Sequence, residues 1–183
     1  RILEIAAERD ASVSDEEINS TVVKNPALVC EFDLISLYSA NLCMKICDGV
    51  QAEEHDQPLK GLKIVVDAGN GAGGFFAFQV LEPLGADITG SAFLDPDGSF
   101  PNHVPNPENK EAMKAICDAV VKNHGDLGLI FDTDVDRMSA VLADGTPLNR
   151  DSIIAMISAI LAPDYPGSTI ITDSVTSDRL TDF

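Results

Sequence analysis

Positive charge is what this sequence has least of. Twelve Lys and Arg stand against thirty Asp and Glu, a formal charge of −18. A nucleic acid needs a basic face to displace its counterions, and an anionic membrane surface asks for the same, so the composition argues against both partners. Any phosphate held here needs a local cation, because the field of the whole chain repels it. Long apolar runs are missing as well. No stretch approaches the roughly 20 residues of a membrane span, and the opening residues lack a signal-peptide profile, which leaves a cytoplasmic life as the expectation. The four cysteines, Cys30, Cys43, Cys47 and Cys117, include no C-x-x-C pair; Cys43 and Cys47 fall one helical turn apart in an apolar run and read as buried free thiols. Glycine (13) and proline (10) are near average, which excludes a linker or low-complexity class. No repeat recurs at solenoid periods. The sequence starts without Met and stops at Phe183 inside a patterned region, as a piece cut from a longer protein would.

What is present is ordinary globular material. The 183 residues are 45% hydrophobic and 23% charged, enough for one sizeable core. Ser14 with Glu17 forms a capping box and predicts a short helix from Asp15 towards Val23, stopped at Asn25-Pro26. Leu34, Leu37, Tyr38, Leu42 and Ile46 recur at helical spacing and predict an amphipathic helix. From Lys63 the pattern becomes strand–helix–strand–helix–strand. Strands are predicted at Lys63–Asp67, Ala86–Leu94, Leu127–Phe131 and Met138–Leu142, with helices at Phe75–Leu84 and Lys110–His124. Residues 95–109 hold four prolines and form an irregular loop. A helix at Asp151–Leu161 and a new strand at Thr169–Thr172 follow. Too few residues separate Phe131 from Met138 for a helical crossover, so those two strands must pair antiparallel. The expected fold is α/β: a three-layer α/β/α sandwich around a mixed four-stranded sheet whose fourth strand is antiparallel.

The most informative residues are Asp132-Thr133-Asp134-Val135-Asp136-Arg137, just past the end of an apolar strand, where α/β sheets usually place their sites. In a near-extended segment Asp132, Asp134 and Asp136 project to one side, and three carboxylates there repel unless a counter-ion intervenes. A hard divalent cation, Mg²⁺ or Mn²⁺, suits such a donor set. Arg137 adds a fixed charge fit for a phosphate oxygen. The bland alternative is three solvated aspartates in an acidic chain. A calcium EF-hand loop fails, since its Gly and Glu positions hold Arg137 and Ala143. The phosphatase motif of haloacid dehalogenases fails at its fifth place, which holds Asp136.

Here the sequence resembles a known family. Gly61 to Gly71 (GLKIVVDAGNG) looks like the opening of the second domain of the α-D-phosphohexomutases, the phosphoglucomutase/phosphomannomutase family. Asp97 to His103 with Pro105-Asn106-Pro107-Glu108 resembles that domain's proline-rich loop. Asp126-Leu127-Gly128 through Asp136-Arg137 is similar to its metal loop, D-G-D-[AG]-D-R. Thr172 to Ser177 looks like the start of a third domain. The departures are Thr133 and Val135, and neither removes a carboxylate. The resemblance implies an isomerase that interconverts hexose 1-phosphates and hexose 6-phosphates through a phosphoserine enzyme and a bisphosphorylated intermediate. It further implies that Asp132, Asp134 and Asp136 hold Mg²⁺ together with a phosphoserine oxygen, that Arg137 contacts phosphate, and that the partners are a phosphosugar and other domains of the same chain. Residues 1–32 would be the tail of a preceding domain, 33–166 the metal-binding second domain and 167–183 the start of the third. The family's serine loop, T-A-S-H-N-P, has no match here, so the chain alone is expected to be inactive; conversion of glucose 1-phosphate by the purified chain would contradict that. Two other readings stay open: a non-catalytic metal-binding or interaction module, and a dehalogenase-type phosphatase with Asp132 as nucleophile.

Two further features remain. Gly69 to Gly74 reads as a tight turn that lets helix and strand approach, with a phosphate cradle as the lesser reading. His103 reads as a hydrogen-bonder in the proline loop, and no histidine has a triad partner. Phe75, Phe78 and Leu81 read as core.

Overall fold

The computed structural model describes residues 1–14, 16–17, 30–50, 52 and 54–180, in two compact units, Arg1–Leu34 and Ile35–Phe183. In the first, helix α1 (Ile2–Ser12) buries none of its residues. Ser14 Oγ accepts the backbone N–H of Glu17 at 3.2 Å, the N-cap half of the predicted capping box. The rest of that predicted helix lies largely outside the described residues.

In the second unit, β1 (Ile64–Asp67) is buried along its whole length, as a strand covered on both faces must be. It pairs parallel with β2 (Leu127–Phe131), Ile64 opposite Leu127 and Asp67 opposite Ile130. β2 pairs antiparallel with β3 (Met138–Leu142), Phe131 opposite Met138, as the short connection requires. Side chains alternate across this sheet and divide the core in two. Ile64, Val66, Leu129, Phe131 and Ala140 face helix α3, which runs Gly74–Phe76 and continues as a π-helical turn, Ala77–Leu81. Val65, Ile130 and Val141 face helix α4 (Lys110–Asn123) through Ile116 and Val120. Each fully buried Val or Ile contributes about 1.5–3 kcal/mol, several times a typical net hydrogen bond, so these two contacts carry the loops above them. Asn109 caps α4 by accepting N–H groups of Glu111 and Ala112, and His124, at φ +53°, ends it.

The sheet has three strands among the described residues, not four. Residues 86–94 do run parallel beside β1, but the ladder between them is reduced to two isolated bridges, Lys63 with Asp87 and Asp67 with Ala92. Between them the chain turns. Asp87 Oδ1 accepts the Thr89 N–H at 2.8 Å, Gly90 takes φ +102°, and the Ser91 N–H reaches the Ile88 carbonyl at 3.1 Å. Val66 N–H, which a continuous strand would have paired, donates to Ser91 Oγ at 2.9 Å. Local Asx-turn chemistry outcompetes the ladder here.

Other expectations shift in detail. Helix α2 (Leu34–Val50) forms, but Leu34, Leu37 and Tyr38 are exposed, and it docks through Ser39 and Cys43 onto Gln79 and Val80. Cys43, Cys47 and Cys117 are half-buried and Cys30 is exposed, so the thiols are free but not core. Phe78 also faces outward, because Ala77, Val80 and Leu81 supply the inner stripe of α3. Helix α5 (Arg150–Leu161) forms, capped by Asn149. Thr169–Thr172 forms no strand, and no described strand stands beside it to complete a ladder.

Candidate metal centre

The β2–β3 hairpin presents the aspartate loop. The loop is a closed turn, not the extended segment that strand alternation suggests. Asp132 N–H donates to the Arg137 carbonyl at 3.1 Å and closes the base. Val135 N–H reaches the Asp132 carbonyl at 3.4 Å, and Val135 itself is left-handed, φ +66°, with its side chain against the Phe131 cluster. This bend brings Asp132, Asp134 and Asp136 together: one carboxylate oxygen from each lies within 4.8 Å of the others. Asp132 is fully buried, while Asp134 and Asp136 are exposed.

Arg137 belongs to the same constellation. Its backbone N–H donates to Asp132 Oδ1 at 3.0 Å and its Nε–H to Oδ2 at 2.9 Å, with Asp136 Oδ1 at 3.5 Å. Its side chain stays 57% exposed, and its Nε–H is the part held by Asp132. Burial pushes the Asp132 carboxyl up, but hydrogen bonds from the Arg137 N–H, Asp136 and the guanidinium overcome it and hold the group below the usual carboxylate range. Asp136 is displaced the other way: its hydrogen bond with Asp132 and the charges of Asp132 and Asp134 raise it. A proton on Asp136 thus relieves a repulsion that a divalent cation would relieve better. A carboxylate has about four lone-pair sites, so the two bonds from Arg137 leave Asp132 able to ligate. All donors being carboxylate oxygens, the set fits a hard cation such as Mg²⁺.

The glycine turn is the platform for this loop. The N–H of Ala72 donates to the Thr133 carbonyl at 2.9 Å, and a Cβ on Gly71 would come within 2.7 Å of that same oxygen. The amides of Gly69, Asn70, Gly71 and Ala72 are committed to Asp67 Oδ1, Phe93 O, Ala68 O and Thr133 O, which leaves none of the four for a phosphate. His103 is engaged elsewhere, its Nε2 at 3.0–3.1 Å from both oxygens of Asp67. His124 caps α4, and His55 lies 3.8 Å from Asp48 and 3.6 Å from Asp56. Asp67 itself escaped the sequence reading. Its signal was an Asp two residues before a Gly at a strand end, the pattern of an Asx turn.

With this geometry in hand, comparison with known proteins is decisive. Residues 45–145 match the family model described as phosphoglucomutase/phosphomannomutase, alpha/beta/alpha domain II. The chain belongs to the phosphoglucomutase/phosphomannomutase family. Among its relatives, a phosphomannomutase/phosphoglucomutase of Pseudomonas syringae pv. tomato is 39% identical over 120 residues, 66% of this chain and 26% of the relative. A probable phosphoglucosamine mutase of Methanosphaera stadtmanae is 31% identical over 156 residues, 85% of this chain and 32% of the relative. A crystal structure of a family protein from Burkholderia thailandensis superposes with a TM-score of 0.63 at 28% identity, covering 75% of this chain and 28% of that one. The chain therefore spans about a quarter to a third of the length of these family members. The domain II match runs from within α2 to Gly145 and includes the glycine turn, the proline loop and the aspartate loop.

Proposed function

We propose that this chain supplies the divalent-cation site of a phosphohexomutase, an isomerase that exchanges hexose 1-phosphate for hexose 6-phosphate through a phosphoserine and a bisphosphorylated intermediate. The observation that carries the reading is the convergence of Asp132, Asp134 and Asp136 at the tip of the β2–β3 hairpin, with Arg137 beside them. These three carboxylates would hold Mg²⁺. When bound, the cation offsets negative charge on the phosphoryl group in transfer.

The chain's own residues do the rest. Asp132, kept ionised by the N–H groups of Arg137, is a ligand that needs no proton removed from it. Asp134 and Asp136, both exposed, are the two carboxylates open to solvent and so to an incoming cation. Arg137 spends its Nε–H on Asp132, which fixes the guanidinium plane and leaves its tip to bind and orient a phosphate oxygen. Two sources of positive charge in one loop answer the −18 of the chain as a whole. Under this reading the serine that carries the phosphoryl group, the sugar-reading residues and the remaining phosphate contacts belong to other domains. Residues 1–32 and 167–183 are then the adjoining ends of a first and a third domain. A cytoplasmic setting suits an enzyme of phosphosugars, and no described helix is long and apolar enough to cross a membrane.

Calorimetric titration with Mg²⁺ tests the ligand assignment. The wild-type chain should bind weakly, and Asp134→Asn should lose about tenfold or more in affinity, since one of three charged ligands is neutralised. Tight and identical binding by both proteins would refute it.

A further inference from the structure

At the end of β1, beneath the glycine turn, lies a buried couple, Asp67 with His103, that the reaction chemistry does not use. Asp67, the last residue of β1, is 2% exposed, and His103 of the proline loop is 9% exposed. The carboxylate has two tasks. Oδ1 accepts the Gly69 N–H at 2.8 Å, and both oxygens meet His103 Nε2 at 3.0–3.1 Å. The other ring nitrogen, Nδ1, lies 3.1 Å from the Val104 carbonyl, and the imidazole meets the Phe93 ring edge to face at 5.3 Å. The imidazole is therefore held on three sides, and no described buried polar side-chain atom lacks a partner.

Burying such a couple brings little net stability. Each polar group loses its hydration on burial and its hydrogen bonds return about as much, so well-packed apolar residues of the same volume would serve folding as well. Its effect is geometric. With Asp67 fixed, Gly69 and Asn70 enter left-handed conformations in succession, φ +54° and +60°, and Pro105 closes on Gly69 so tightly that a Cβ there would come within 2.8 Å of it. The turn then delivers Gly71 and Ala72 against the backbone of Thr133. Thr133 sits between Asp132 and Asp134. A continuous path of hydrogen bonds and backbone contacts thus joins His103 to the aspartate loop, through Asp67, Gly69 and Ala72.

We propose that the Asp67–His103 couple is a positioning device for the cation loop: it locks the glycine turn, and the locked turn sets the spacing of the three carboxylates. This rests on the cation reading given above. It accounts at once for the glycine turn and for the buried histidine.

The test is Mn²⁺ binding to the chain, followed by electron paramagnetic resonance of the free ion. His103→Leu should weaken Mn²⁺ about tenfold, the lower end of what loss of an outer partner costs a metal site. His103→Gln, whose amide N–H can donate to Asp67, should recover most of that loss. A merely structural role would lower thermal stability and leave affinity unmoved in the folded protein. The proposal is therefore overturned if His103→Leu, folded by circular dichroism, binds Mn²⁺ as the wild type does, or if the Gln variant rescues nothing. Should His103→Leu fail to fold, the near-isosteric Asp67→Asn takes its place, and unchanged affinity there is equally fatal. Asp134→Asn separates the two claims. If it binds like the wild type, the cation reading falls and this proposal with it; if it loses Mn²⁺ while His103→Leu does not, only the positioning role falls.

Discussion

A methyl group on Gly71 would stand 2.7 Å from the Thr133 carbonyl oxygen and 3.0 Å from the Thr133 Cα, both backbone atoms that cannot swing aside. Gly71→Ala should therefore push the aspartate loop out of place, destabilising the chain by about 1–3 kcal/mol and weakening divalent-cation binding. Gly98→Ala, where nothing lies within 4 Å, should change neither, as paired denaturation and Mn²⁺ titrations can show. The three aspartates were readable at this scale because their spacing is a linear property of the sequence. How they meet was not. Alternation along an extended segment would place all three on one face, whereas a left-handed Val135 folds the loop back and buries only Asp132. That conformation costs a β-branched residue about 1–2 kcal/mol, offset in part by the Val135 side chain packing on the Phe131 cluster. Nothing in a list of residues reveals such a balance. Asp67 went unread for a related reason: its partner, His103, is remote in sequence and near only after folding.

Elements joined by short connections were legible, and elements competing with local turn chemistry were not. The β2–β3 hairpin followed from the few residues available between Phe131 and Met138, and α4 from the apolar residues that recur along one of its faces. The stretch from Ala86 to Leu94 alternates like a strand, but Asp87, Thr89 and Gly90 fold into a turn that breaks it into two bridges. This turn predicts an acid response. Hydrogen bonds from the Thr89 side chain and N–H and from Lys63 hold Asp87 at about 2, against an ordinary 3.8. A carboxyl depressed by folding stabilises the native state above its unfolded pKa, and that contribution fades as pH falls towards its folded pKa. Between about pH 4 and about pH 2 the melting-temperature gap between the wild type and Asp87→Asn should therefore narrow. A gap that stays constant across that window would show that the turn holds no ionised Asp87.

At the scale of the whole molecule, the charge of −18 and the family motifs in their order were both visible before any coordinates. The domain II match over residues 45–145 places the glycine turn, the proline loop and the aspartate loop in one domain. What the sequence could not show was that the first two serve the third, since Gly71 and Thr133 meet only once the sheet has brought β1 and β2 side by side. The central claim is that Asp132, Asp134 and Asp136 converge on one divalent ion. It is tested most directly by a crystal of this chain grown in manganese and measured at the manganese absorption edge. The account predicts a single anomalous peak bounded by those three carboxylates. No peak there, with the side chains of Asp134 and Asp136 turned apart into solvent, would contradict it.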